Sequence, residues 1–223
     1  MITETRLKGV YAWKGKKGLY TKSFAPGLRV YDEQLIKQGK DEFREWNTRK
    51  SKLAAGITKG LSQIGIRPGM VVLYLGSSTG TTVSHVSDIV GEDGFVFALD
   101  SAPRVMRQLV FVAEQRKNIA PILADANQPN SYAHRICEAD IVYQDVAQRN
   151  QVEIFLKNCD QFLRAEGFGL VAIKARSIDV AQKPQNIFRD VRKLLEKHLT
   201  LVDYRELAPL QKDHCLFVCK KQA

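Results

Sequence analysis

From about residue 70 onward, short apolar runs alternate with amphipathic stretches. The runs at 71–75, 95–100, 119–124, 141–144 and 169–174 are nearly continuous in Val, Ile, Leu, Phe and Ala. Strands buried on both faces have this composition, so each run is predicted to be a strand of a parallel sheet. The stretches between them, at 82–90, 103–116 and 152–163, carry apolar residues at helical spacing and are predicted as crossover helices. Regular alternation of this kind predicts an α/β fold with both faces of the sheet covered. The rhythm changes near the end: a helix at 184–198 precedes strands at 199–206 and 214–220 around a turn at 208–213. Strands so close in sequence pair antiparallel, because a parallel pair requires a longer crossover.

The first fifty residues read differently. Aromatic or β-branched runs at 9–13, 19–22 and 28–31 are separated by Lys-Gly-Lys-Lys-Gly and Ala-Pro-Gly turns. They predict a small antiparallel sheet. The stripe Leu53, Ala54, Ile57, Leu61 and Ile64 then predicts a helix ending near Gly65. The expected organisation is a small β lobe at 1–50 followed by the main domain at 51–223.

Composition narrows the class. Hydrophobic residues make up 44% of the chain and charged residues 26%, ordinary values for a globular protein. No apolar run approaches the roughly 18 residues that span a bilayer, and the opening residues lack the apolar stretch of a secretory signal. A cytoplasmic protein with no membrane partner is expected. Cys137, Cys159, Cys215 and Cys219 lack paired Cys-x-x-Cys spacing, so no metal is expected and the thiols are read as buried and reduced. A formal net charge of +10 favours a polyanionic partner. Tyr11, Trp13, Tyr20 and Trp46 lie near two of the basic clusters, a combination suited to RNA.

Candidate chemistry gathers where predicted strands end. The strand at 71–75 runs into Gly76-Ser-Ser-Thr-Gly80-Thr-Thr and then a helix, so backbone N–H groups and the positive helix end can face a ligand. These glycines match neither the phosphate-cradling Gly-Lys-Ser/Thr loop nor Gly-x-Gly-x-x-Gly. The remaining reading is a ligand richer in hydroxyl or carboxylate than in phosphate, such as S-adenosylmethionine. The next strands end at Asp100, Asp125, Asp145 and Lys174, along the edge where such sheets bind ligands. Asp100 lies roughly twenty residues beyond the loop, where a carboxylate accepts from ribose hydroxyls. A parallel sheet with a terminal antiparallel hairpin is the Rossmann-like layout of class I methyltransferases.

Four segments carry a family resemblance: the loop with its continuation Val-Ser-His-Val-Ser-Asp88, Asp145-Val-Ala-Gln148, Lys174-Ala-Arg-Ser-Ile-Asp179, and Lys212-Asp-His214. With Leu19-Tyr-Thr-Lys22 and Arg44-Glu-Trp-Asn47, the chain resembles fibrillarin, in its archaeal form, over essentially its whole length. The resemblance implies an S-adenosylmethionine-dependent methyltransferase acting on the ribose 2′-oxygen of rRNA and tRNA. Its implied partners are a box C/D guide RNA, a Nop-domain scaffold and a kink-turn-binding protein. It places a catalytic set at Lys52, Asp145, Lys174 and His214. Cofactor contacts are implied at Gly76, Thr81, Thr82, Asp100, Ser101, Asp125, Ala126 and the run Asp145, Val146, Ala147 and Gln148.

Three positions depart from the family pattern: Asp100-Ser101 stands where Glu and an aromatic are usual, and Arg149 replaces a proline. His85, His134 and His198 are read as ordinary surface or edge residues, and Arg176 and Asp179 as braces for a loop. The alternative functions are a cofactor-binding scaffold of an RNA–protein complex and a methyltransferase for protein side chains. The lysine–aspartate set and the basic charge favour RNA.

Overall fold

The computed structural model describes all 223 residues. The first sheet contains β1 (Ile2–Glu4), β2 (Tyr11–Trp13), β3 (Leu19–Lys22), β4 (Leu35–Gln38) and β5 (Asp41–Trp46), antiparallel throughout in the order β1-β2-β3-β5-β4. The expected strand at 28–31 is absent. Its backbone donors at Val30 and Tyr31 are taken by the buried Glu33 carboxylate, at 3.0 and 2.8 Å, rather than by a neighbouring strand. The sheet is completed instead by the hairpin β4–β5, which turns at Gly39 with φ at +63°.

The expected helix through Ile64 is also shorter: α1 spans Lys52–Thr58. Gly60, with φ at +88°, donates to the Ile57 carbonyl, and Leu61 N–H to that of Gly56. This left-handed cap closes the helix while Leu61 and Ile64 stay buried.

The second sheet meets the expected α/β class. In chain order its elements are β6 (Val71–Leu75), α2 (Thr81–Val90), β7 (Phe95–Asp100), α3 (Pro103–Glu114), β8 (Ile119–Leu123), β9 (Ala139–Gln144), α4 (Gln151–Phe162) and β10 (Leu163–Lys174). A single turn, α5 (Ala175–Ile178), then α6 (Pro184–Leu195), leads to β11 (Thr200–Glu206) and β12 (His214–Lys220). The strand order is β11-β12-β10-β9-β6-β7-β8. Pairing is parallel from β10 to β8 and antiparallel at β10–β12 and β12–β11. The chain builds outward from β6 to β8 and then returns to β6's other side, so the loop after β6 lies where the direction of building reverses. Ligand crevices form at such points.

Apolar side chains fill both faces. One layer joins Leu53, Val83, Val86 and Leu109 with Leu7, Val10 and Trp46 from the first fifty residues; the other gathers Phe155, Phe162, Ile187, Phe188 and Phe217. Cys159, Cys215 and Cys219 are buried as expected, whereas Cys137 is exposed. No helix is long and apolar enough to cross a membrane.

A buried ionic cluster ties the first sheet to α2. Arg44 on β5 reaches Glu33 at 2.6 Å and Asp88 on α2 at 2.8 Å, with all three side chains fully inaccessible. Arg116 approaches the other Asp88 oxygen at 2.6 Å. His85 is part of this cluster rather than the surface residue expected from the sequence. It is fully buried, stacked on Trp46 at 5.0 Å, with Thr21 Oγ1 2.7 Å from Nδ1 and Tyr31 Oη 2.8 Å from Nε2. His134 and His198 are exposed.

Burial, then the charges of Arg44 and Arg116, push the His85 pKa well below its ordinary 6.5. The folded state therefore holds the ring neutral, while the unfolded chain protonates it below about pH 6.5. Stability is full above that pH and declines as the solution is acidified, by at most about 1.4 kcal/mol per pH unit from this group. Urea midpoints from pH 7.5 to 5.5 should fall more steeply for the parent than for His85→Gln; parallel slopes would contradict the assignment.

Candidate active site

The turn after β6 is shaped by three residues in the left-handed region: Gly76 at φ +80°, Ser78 at +49° and Gly80 at +92°. A Cβ at Gly76 would lie 2.5 Å from the Asp145 carbonyl oxygen, so only glycine lets the β6 and β9 loops approach this closely. Gly76 and Ser77 N–H both donate to the Leu99 carbonyl, at 2.9 and 3.0 Å. Gly80 then begins α2 with no side-chain cap, so no capping side chain satisfies the first-turn N–H groups. Ser77 Oγ, on the wall of the second cleft described below, is buried without a hydrogen-bond partner.

A cleft of about 210 Å³ opens beside this turn, and its wall includes Gly76, Asp100, Ser101, Asp125, Ala126 and Asp145. Val146, Ala147 and Gln148 complete that side. Asp100 accepts from the N–H groups of Ser78 at 2.8 Å and Ala102 at 3.0 Å, which fixes its carboxylate at the rim. Asn127 bridges the neighbouring loops: its main-chain and side-chain N–H groups reach Asp125 Oδ1 at 2.9 and 3.1 Å, and its Nδ2 reaches Gln148 at 2.9 Å. The position of each acid follows from the sheet. β7 ends at Asp100, β9 ends one residue before Asp145, and Asp125 lies two residues beyond β8.

A second cleft of about 410 Å³ adjoins the first through Gly76, Ser78, Asp145 and Ala147. Lys52, Asp145, Lys174 and His214 all line it. Lys52 Nζ sits 2.9 and 3.0 Å from the two Asp145 oxygens, an ion pair that compensates for placing a carboxylate at the end of a buried strand. Lys174 and His214 occupy directly opposed positions of the antiparallel β10–β12 pair, so their side chains share a face. The Lys174 ammonium has no acidic partner within salt-bridge distance.

His214 Nδ1 lies 2.7 Å from the Lys212 carbonyl, which can only accept, so that nitrogen carries the proton. Burial lowers the ring pKa below its ordinary 6.5; Lys52 and Lys174 act in the same direction, against the Lys212 carbonyl and Asp145. The neutral ring therefore presents Nε2 as a free acceptor. Two cations, a neutral imidazole and a paired carboxylate around a polar cleft suit an anionic chain and a hydroxyl that must lose its proton.

All the catalytic and cofactor-contact residues implied by the resemblance border these two clefts, with a division the sequence did not predict. Thr81 and Thr82 line the second cleft, and the Thr82 hydroxyl lies 3.0 Å from Ser51 Oγ rather than facing the acidic one. Ser51 also caps α1 by accepting from Ala54 N–H at 3.3 Å, so the starts of α1 and α2, and with them Lys52, are held together. Arg176 and Asp179 brace the segment after β10: Arg176 Nη1 donates to the Val180 carbonyl at 2.6 Å and Asp179 accepts from Ala181 N–H at 2.8 Å. Tyr74 and Lys50 also line the second cleft, and they, Ser51 and Asn127 were not among the residues expected at the site. The Ser51 position alone carried a readable signal, a small hydroxyl directly before an apolar helical stripe.

Known proteins share this fold. A fibrillarin-like rRNA/tRNA 2′-O-methyltransferase of Thermococcus onnurineus is 44% identical over 223 residues, covering 99% of each chain. An Aeropyrum pernix fibrillarin, solved in complex with natively bound S-adenosyl-L-methionine, superposes with a TM-score of 0.90 at 41% identity, covering 98% of this chain and 97% of that one. A chain from a fibrillarin/Nop5p complex gives 0.89 at 35% identity, covering 98% of this chain and 100% of its own. The fibrillarin family profile matches residues 1–223. The chain belongs to the fibrillarin family.

Proposed function

We propose that this protein transfers a methyl group from S-adenosylmethionine to the ribose 2′-hydroxyl of rRNA and tRNA. The observation that carries the reading is the adjacency of the two clefts. One is walled by Asp100, Asp125 and the 145–148 loop, and the other by the uncapped start of α2, the Lys52–Asp145 pair, Lys174 and His214. The residues fit such a cofactor: carboxylates suit ribose hydroxyls and an adenine amine, while helix N–H groups and the orphaned Ser77 hydroxyl suit a carboxylate. When bound, the cofactor supplies an electrophilic methyl group.

The chain's own residues make the ribose oxygen a competent nucleophile. A 2′-hydroxyl holds its proton at neutral pH, so the site must orient the oxygen and relieve it of that proton. Lys174 stabilises charge developing on the oxygen, and Asp145 fixes Lys52 where it meets the neighbouring phosphate. His214, protonated on Nδ1, offers Nε2 as the acceptor for the hydroxyl proton as the oxygen–methyl bond forms. Arg149 and Ser101, which depart from the family pattern, leave these four residues intact.

Target choice comes from outside the chain, from a box C/D guide RNA held with a Nop5p-type scaffold and a kink-turn-binding protein. The curated relatives carry the rRNA/tRNA methyltransferase name, and one structural relative is held in a complex with Nop5p. The purified chain is expected to bind S-adenosylmethionine one-to-one by calorimetry and to methylate free RNA barely above background. Adding guide RNA and both partner proteins should raise the rate at least about tenfold, the scale expected when substrate is held in register. Efficient, site-specific methylation by the chain alone would refute the dependence on an assembly.

A further inference from the structure

β9 and β10 run side by side only as far as the pairing of Gln144 with Val171. Beyond that point the chain leaves the sheet through the 145–148 loop. The last residues of β10 then keep a strand neighbour only on the β12 side, where Lys174 lies opposite His214. Gln151, the first residue of α4, supplies the missing neighbour. Its Oε1 accepts from Lys174 N–H at 3.0 Å, and its Nε2 donates to the Lys174 carbonyl at 3.2 Å and to the Gln148 carbonyl at 2.9 Å.

A carboxamide offers the same donor and acceptor as a peptide group, so one side chain stands in for a strand and bridges it to the cofactor loop. Gln151 is fully buried, so no water replaces these bonds when the group is removed. Its own carbonyl accepts from the buried Gln144 amide at 2.5 Å, which anchors the backbone from which the side chain reaches. The Lys174 side chain is exposed to the cleft; its backbone is what the surroundings hold.

We propose that Gln151 is a positioning residue for the transfer, fixing Lys174 against the 145–148 loop so that lysine and methyl donor keep a set separation. The proposal rests on the methyltransferase reading above. Gln151→Met preserves length and removes every bond. Gln151→Glu keeps an acceptor for Lys174 N–H but turns a carboxylate oxygen toward two carbonyls.

In the complex reconstituted with guide RNA and partner proteins, both variants should lose at least about tenfold in single-turnover methylation at saturating S-adenosylmethionine, since small misplacements of reacting groups cost rates of that order. Cofactor affinity by calorimetry should change less than about threefold in both, and hydrogen exchange at the Lys174 amide should accelerate at least about tenfold in Gln151→Met, which lacks the acceptor. A folded variant with a lower melting temperature but a rate within about twofold of the parent's overturns the positioning role. Unchanged Lys174 exchange in Gln151→Met overturns it as well. A parent complex that transfers no methyl group counts against the methyltransferase reading alone, and the amide exchange still decides whether Gln151 holds Lys174.

Discussion

Replacing Lys174 by Ala is expected to lower the single-turnover methylation rate by roughly 100- to 10,000-fold, the range over which a positioned acid–base or charge-stabilising group acts. The cause is local. Lys174 ends β10, its side chain is exposed in the cleft, and its ammonium has no carboxylate to neutralise it. It is therefore free to meet negative charge that appears only as the ribose oxygen attacks. The backbone at this position is held by β12 and Gln151, so truncating the side chain should leave the fold and the acidic cleft undisturbed. Cofactor affinity of the variant, read by calorimetry, should stay within about threefold of the parent's, because the acidic cleft is built from other residues. Asp145→Ala should also be slow, but with weaker cofactor binding, because Asp145 lines both clefts and holds Lys52. A Lys174→Ala rate near the parent's would remove that lysine from the reaction.

The largest loss of stability is expected from Arg44→Met. Arg44 bridges Glu33 and Asp88 with no exposure to water, and Asp88 retains Arg116 when Arg44 is gone. Glu33 retains only the backbone donors of Val30 and Tyr31. Breaking a buried pair by removing one partner costs about 3–5 kcal/mol, since a charge is left without compensation. For a chain of this size that corresponds to a fall in melting temperature of about 10 °C. Glu33→Gln in the same chain should recover part of the loss, because the residues touch and their effects do not add. A melting temperature within about 2 °C of the parent's would show that the cluster is not what fastens the first sheet to α2.

The parallel sheet was legible because β6, β7 and β9 are apolar almost throughout, and strand ends in such sheets face the ligand crevice. Asp100, Asp125 and Asp145 could be picked out for that reason. β5 was not legible. Glu42 and Arg44 are buried along it, which reads as solvent-facing charge until Glu33 and Asp88 are known to meet Arg44. His85 was misread for the same reason: its burial depends on Thr21, Tyr31 and Trp46, residues about 40 to 60 positions away in the chain. Gln151 and Asn127 escaped notice because Gln151 bonds main-chain groups and Asn127 bridges two loops, contacts that exist only after the loops are brought together. The division of Thr81 and Thr82 from the acidic cleft likewise depends on Ser51 arriving from α1.

The two adjoining clefts together act on a ribose 2′-oxygen. The most direct measurement is to assemble the protein with a box C/D guide RNA, scaffold, kink-turn-binding protein and a complementary target RNA, supply S-adenosylmethionine, and map the product by alkaline cleavage. Methylation of a 2′-oxygen removes the nucleophile that cuts the adjacent phosphodiester. The parent should therefore protect one guide-specified linkage, and the Lys174→Ala complex should leave it cleavable. A methyl group found on a base or on protein, or full protection by the Lys174→Ala complex, would contradict it.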